Sequence, residues 1–222
     1  MPMYRHEVTE FAPKTWCLSE FKLVNAFLVE GEEKAALIDT GCGIGDIAGI
    51  VRELTDKPLV ILITHGHHDH IGDTVSIAKR TGCLVICNPE IESYLHKKGV
   101  TNTHGMNIGG AYQFDFGIVK MTSALHSSAL EEDGQMIYMG NPGGFLIKAE
   151  GYTIYHAGDT GLSHEMTLLG NANRIDVALL PIGGNYTMDV SDAMLAARAL
   201  RAKQIVPMHY NTFHVITQNE KF

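Results

Sequence analysis

Cysteine is scarce in this sequence: Cys17, Cys42, Cys83 and Cys87 are the only four in 222 residues. That is too few for a disulfide scaffold, and the compartment this usage implies is a reducing cytoplasm. Long apolar runs are also missing. Leu59–Ile63 and Val177–Leu180, among the longest, fall far short of the ~20 residues a helix needs to cross a bilayer. The start, Met1–Phe11, carries Arg5, His6, Glu7 and Glu10 and no apolar stretch, so it does not read as a signal peptide. Positive charge is in deficit, with 17 Lys and Arg against 25 Asp and Glu and a net charge of −8. This balance argues against a nucleic-acid partner held by bulk electrostatics, and nothing points to a membrane. Low-complexity tracts, internal repeats and Pro/Ser-rich linkers are absent, so residues 1–222 read as a single domain.

Histidine, by contrast, is abundant: 12 of the 222 residues. With 45% hydrophobic and 19% charged residues the chain is globular, and the question is where those histidines fall. Val24–Glu30 and Lys34–Asp39, split by Gly31-Glu32-Glu33, predict a β-hairpin. Leu59–Ile63 reads as a strand buried on both faces. Helices are predicted near Asp46–Leu54, Asp73–Arg80 and Pro89–His96, with a strand at Leu84–Cys87 and a loop over Lys97–Tyr112. Strands follow at Ile118–Ser123, Gln135–Met139, Gly144–Ala149, Thr153–His156 and Val177–Leu180. An amphipathic helix, Asp189–Lys203, has Asp189 or Ser191 as its N-cap, and Gln204–Pro207 is the last strand. Strands alternating with helices give an α/β layered fold, in which ligands collect at loops past the strand ends.

The decisive segment is Thr64–His70, THGHHDH, directly after the buried strand. In extended chain, residues i and i+2 point to one side, so His65 and His67 can hold one metal together. Asp69 and His70 point elsewhere and can serve a neighbouring metal. By the same alternation His68 faces outward. Imidazole nitrogen and carboxylate oxygen suit Zn²⁺, Mn²⁺ and Fe. A chance match to this pattern has a probability on the order of 10⁻³ to 10⁻². Three further residues each follow a predicted strand: His126 in ALHSS, Asp159 in HAGDTG and His209 in PMHYNT.

THGHHDH, HAGDTG and MHYNT together resemble the metallo-β-lactamase-fold hydrolases. From about Leu62 to Phe213 the chain is similar to the small bacterial and archaeal metal-dependent hydrolases related to ascorbate-6-phosphate lactonase. NTHGMNIGG, MGNPGGFLI, LLPIGGNYTM and VPMHYNTF carry that likeness. It implies a four-layer αββα sandwich with a dinuclear metal site. His65, His67 and His126 would hold one ion, Asp69, His70 and His209 a second, and Asp159 would bridge them. Residues 1–61, with VNAFLVEGEEKAALIDTGCG, look more like the glyoxalase II branch, so the chain reads as a composite joined near residues 58–64. The group normally continues with another helix and strand after HYNTF. A second subunit covering the edge those elements would occupy would make a homo-oligomer.

This resemblance implies a hydrolase in which metal-bound hydroxide attacks a small ester, lactone or phosphoester, with two divalent ions as cofactor: Zn²⁺ first, Mn²⁺ or Fe as alternatives. Asp69 would ligate the second ion and accept the nucleophile's proton. Asp39, in LIDTG, is a candidate to orient a ligand histidine or a plain strand-end turn residue. His156 is a candidate neighbour of the site or a packed strand residue, and Asn185 a candidate substrate contact or a turn residue. His104 could line the entrance, and Tyr210 could donate a proton or pack. His6, His96, His164 and His214 read as solvated surface groups. Cys83 and Cys87 read as buried hydrophobes and Cys42 as incidental. The Gly109-Gly110 and Gly143-Gly144 pairs lack the Lys-Ser/Thr of a phosphate loop. Two readings compete. One is a metal-binding scaffold with little turnover. The other is a mononuclear iron redox enzyme, weakened because oxygen-reducing relatives place Glu where His67 stands.

Overall fold

In the computed structural model, which describes residues 6–212 and 214–218, the chain forms two compact units. The first runs up to Met106 and includes Ser128–Gly140; the second comprises Asn107–Ser127 and the chain from Asn141 onward.

The first unit holds a seven-stranded sheet whose strands lie in chain order: β1 (Glu7–Ala12), β2 (Thr15–Glu20), β3 (Val24–Glu30), β4 (Ala35–Ile38), β5 (Leu59–Leu62), β6 (Leu84–Cys87) and β7 (Thr103–Gly105). The first four pair antiparallel through short turns. From β4 onward pairing is parallel, and helices make the crossovers. These are α1 (Ile47–Leu54), the short α2 (His68–Ile71) with α3 (Thr74–Thr81), and α4 (Pro89–Lys97). Asp46 caps α1 by accepting from Gly49 N at 2.9 Å, and Asn88 caps α4, which opens on Pro89. Leu28, Leu37, Ile61 and Val85 lie in register across the sheet and share one core with Val51, Ile77 and Ile91 of the helices. The alternate row, Phe27, Ile38, Leu62 and Ile86, is also buried, which explains the unbroken apolar run at β5.

A hairpin, β10 (Ala129–Glu132) with β11 (Gln135–Tyr138), also belongs to this unit. Asp133 and Gly134, both at positive φ, make its two-residue turn.

The second unit repeats the plan. Its sheet has the order β15-β14-β13-β12-β9-β8. The strands are β8 (Ala111–Phe114), β9 (Gly117–Ser123), β12 (Gly143–Ala149), β13 (Tyr152–His156), β14 (Val177–Pro181) and β15 (Gln204–Met208). Pairing is antiparallel from β8 to β13 and parallel from β13 to β15, with α5 (Glu165–Ala172) and α6 (Val190–Leu200) as crossovers. Leu146, Tyr155 and Ala178 form a row that shares a core with Met166, Leu169, Ala193 and Ala196. Asp189, not Ser191, caps α6, accepting from Asp192 N at 2.8 Å. At Gly170 a Cβ would collide with the carbonyl oxygen of Ala199, so α5 meets the end of α6 backbone to backbone.

The predicted hairpin, the buried strands and four of the helices lie where the pattern placed them, within one to three residues at their ends. The stretch 97–112 is not all loop, because β7 and the start of β8 fall within it. β7 has three residues, and β8 is largely exposed, so neither carries an apolar period.

Candidate functional site

The candidate donors of the first unit hang from the end of β5. His65 is fully buried, and its Nε2 lies 3.0 Å from His67 Nδ1, so the i, i+2 pair shares a side as extended chain requires. Beyond His67 the strand logic stops. His67 is the N-cap of α2, and its carbonyl accepts from His70 N at 3.0 Å and Ile71 N at 3.1 Å. One helical turn, not alternation, therefore places Asp69 and His70. The His70 ring sits 4.0 Å from that of His65, and Asp69 Oδ2 lies 3.5 Å from His70 Nε2. His68 is exposed, as expected.

Asp39 orients this group. It follows β4 with φ +60° and is buried. Its Oδ1 accepts from Thr64 N at 2.9 Å, and its Oδ2 from Thr64 Oγ1 at 2.8 Å. The same Oδ2 stands 2.7 Å from His70 Nδ1. A carboxylate can only accept, so this contact assigns the ring proton to Nδ1 and makes Nε2 the nitrogen that could bind a metal. Thr64 spends its one proton on Asp39, so it accepts from His65 Nδ1 at 3.0 Å. His65 is thereby put in the same tautomer, with Nε2 as donor atom. The backbone of α2 is held by Thr40, whose N and Oγ1 both donate to His70 O, at 2.7 and 3.0 Å.

Between His65 and His67, Gly66 N donates to Ser128 Oγ at 3.0 Å, and a Cβ on Gly66 would collide with Met139. Ser128 Oγ in turn donates to Met139 O at 3.2 Å. The β10–β11 hairpin is thus anchored at its base to the motif. Ser128 belongs to no motif of its own; HSS after a strand is its only trace in the sequence.

In the second unit the candidate donors follow β9, β13 and β15. Asp159 is buried, with Oδ2 2.9 Å from His209 Nε2 and 3.7 Å from His126 Nε2. Two bonds lock the neighbours of these residues together: Leu125 N donates to Thr160 Oγ1 at 2.9 Å, and Gly161 N to Leu125 O at 3.2 Å. His209 sits at φ +53°, and Gly183 gives its carbonyl room, since a Cβ there would strike it. His156 ends β13, buried, and its Nδ1 accepts from Gly158 N at 3.2 Å, bracing the turn that leads into Asp159.

Asn185 is exposed in the turn after β14, where Thr187 N donates to Gly184 O at 2.6 Å. Tyr210 is half-buried and packs against the second unit's core. His104 is half-buried in β7, beside Ile86 of β6. His96, His164 and His214 are exposed. His6 is not a surface group: it is buried, its ring 5.4 Å from that of Phe21, and burial pulls its pKa below the usual imidazole value. All four cysteines are free thiols.

Comparison with known proteins places the chain in a family. Residues 36–210 match the family model described as "Beta-lactamase superfamily domain". A "UPF0173 metal-dependent hydrolase" of Geobacillus sp. (strain WCH70) is 55% identical over 196 residues, covering 86% of this chain and 84% of its own. The chain belongs to this family of metal-dependent hydrolases. A solved relative, Igni18, is titled a novel metallo hydrolase from the hyperthermophilic archaeon Ignicoccus hospitalis KIN4/I. It superposes with a TM-score of 0.75 at 38% identity, over 87% of this chain and 82% of its own. A Parabacteroides distasonis protein at 20% identity and TM-score 0.66 shares the fold, over 96% of this chain and 91% of its own. The family is thus the metallo-β-lactamase one that the motifs implied, and the α/β class with mixed sheets is its fold.

Proposed function

We propose that this protein hydrolyses a small ester, lactone or phosphoester with two divalent metal ions. His65, His67 and His126 would hold one ion and Asp69, His70 and His209 the other, with Asp159 shared by both. The observation that carries this reading is the Asp39–His70 contact of 2.7 Å, because it puts the ring proton of a buried imidazole on Nδ1 and makes Nε2 the nitrogen that could bind an ion. The donor chemistry fits: the set is imidazole nitrogen and carboxylate oxygen without thiolate, suited to Zn²⁺ and compatible with Mn²⁺ or Fe. When bound, such ions supply a water acidified to a pKa of about 7 and polarise the substrate oxygen that gains charge.

The chain's own groups do the rest. Asp39 and Thr64 hold His70 and His65 in the tautomer that presents Nε2. Asp69, partly open to solvent, takes the proton released as the nucleophile attacks. His156 braces the turn before Asp159, and Asn185, exposed on its turn, contacts the substrate. The four free thiols support a cytoplasmic reading. A net charge of −8 supports a small-molecule substrate over nucleic acid.

The test is a panel of esters, lactones and phosphoesters assayed with the purified full chain and with Asp159→Ala. The variant should lose about 10²- to 10⁴-fold in kcat/KM, the scale of a lost acid–base or charge-stabilising group. Hydrolysis at the untreated wild-type rate in Asp159→Ala, or after chelator treatment, rejects the reading.

A further inference from the structure

Glu20, the last residue of β2, is fully buried, yet no metal-binding motif contains it. Its carboxylate faces the loop that follows Asp39 and Thr40 and accepts three backbone N–H groups there. Cys42 N donates to Oε2 at 2.6 Å, and Ile44 N and Gly45 N donate to Oε1 at 2.9 and 2.6 Å. His6 Nε2 stands 3.9 Å from the same Oε1. Gly41 and Gly43, at φ +69° and +72°, turn the chain so that successive N–H groups converge. The loop is a ready-made anion cradle, and the protein fills it with its own side chain. A buried carboxylate is tolerated only where such donors satisfy it, so Glu20 and the loop depend on each other for their positions.

What the loop touches gives the arrangement its purpose. Gly72, the C-cap of α2, donates its N–H to Gly41 O at 3.0 Å. A Cβ on Gly72 would collide with the backbone of Gly41, Cys42 and Gly43, so the end of α2 lies flat on the cradle. Just before the cradle, Thr40 holds the His70 carbonyl. Contacts therefore run from Glu20 through the 41–45 loop and Gly72 to the helical turn carrying Asp69 and His70. We propose that Glu20 is a positioning residue for Asp69 and His70, holding them through this loop in the geometry their metal ion requires.

The inference rests on the dinuclear reading above, and the experiment separates the two. Metal-free full-length protein is titrated with Zn²⁺ in a calorimeter and with Co²⁺ by visible absorption, for wild type, Glu20→Gln and Glu20→Asp. Wild type should take two equivalents. In Glu20→Gln an amide N–H₂ replaces one acceptor and meets a backbone N–H. It should retain one equivalent and bind the other about 10- to 100-fold more weakly, the usual cost of losing a group that orients a ligand. The Co²⁺ spectrum should change, and Glu20→Asp should recover part of the loss. A merely structural role would lower the unfolding temperature and leave both affinities and the spectrum at wild-type values, which overturns the proposal. Wild type taking fewer than two equivalents contradicts the dinuclear reading and removes the proposal with it. Should Glu20→Gln not fold, hydrogen exchange in wild type decides. The Cys42, Ile44, Gly45 and Gly72 amides should slow together when the second equivalent binds, and unchanged rates overturn the assignment.

Discussion

Substituting Asp39 by Asn removes one acceptor from a buried group that serves three donors. Asn tolerates φ near +60° better than most residues, so the backbone is preserved and the side chain alone is tested. The new N–H₂ has two placements. Facing Thr64 N, it opposes a donor 2.9 Å away; facing Thr64 Oγ1 and His70 Nδ1, it opposes groups 2.8 and 2.7 Å away. Either way at least one bond to a carboxylate is lost, at a cost of about 1.5–3 kcal/mol. At roughly 2–4 °C per kcal/mol for a chain of this size, the unfolding midpoint of the metal-free protein should fall by about 3–12 °C. The second placement also lets His70 accept at Nδ1, which moves its proton to Nε2 and withdraws the metal-donor atom. Zinc affinity should then fall by about 10- to 100-fold, equivalent to about 1.4–2.7 kcal/mol. Scanning calorimetry reads the first effect and zinc titration at pH 7 the second. An Asp39→Asn protein that matches wild type in both would refute the claim that Asp39 sets the tautomer of His70.

Gly170→Ala should destabilise the second unit by about 1–3 kcal/mol, because the added methyl meets backbone that cannot rotate away; thermal unfolding checks it. The thiols should be unreactive in the native state. Burial pushes Cys17 up to about 11 and Cys42 up to about 12, and raises Cys83 and Cys87 as well. A raised pKa leaves less thiolate, so at pH 8 the Cys17 thiolate fraction is about 10⁻³ and that of Cys42 about 10⁻⁴. A disulfide reagent should titrate four thiols in denaturant and react slowly with the native protein; fast native labelling would contradict the burial. Ser128→Ala leaves Gly66 N without its side-chain acceptor and should cost about 1–3 kcal/mol of stability, read from denaturant unfolding.

What the sequence could show depended on whether a residue's partners were local. β5 was legible because four apolar residues in a row need two buried faces, and β5 has them. His65 and His67 were legible because strand geometry fixes an i, i+2 pair. Asp69 and His70 were named from the motif, but their placement was not legible, since a four-residue helix carries no period of its own. β1 hid because Glu7, Thr9 and Glu10 are exposed on an edge strand, and α5 because Gly170 and Asn171 weaken a helical reading. His6 reads from sequence as a solvated group, but its neighbours Glu20, Phe21 and Gly45 lie 14 to 39 positions away with no pattern linking them. Glu20 was the least visible. Its donors lie 22 to 25 residues on and are backbone N–H groups, which no side-chain pattern announces.

The central claim, that hydrolysis depends on two metal ions held by these histidines and aspartates, is tested most directly by one titration. Metal-free full-length protein is given Zn²⁺ in steps while turnover is followed across the ester, lactone and phosphoester panel. The account predicts no turnover without metal and a rise that reaches its plateau at two equivalents per chain. Full activity in the metal-free protein, a plateau at one equivalent, or no turnover of any panel member at two would contradict it.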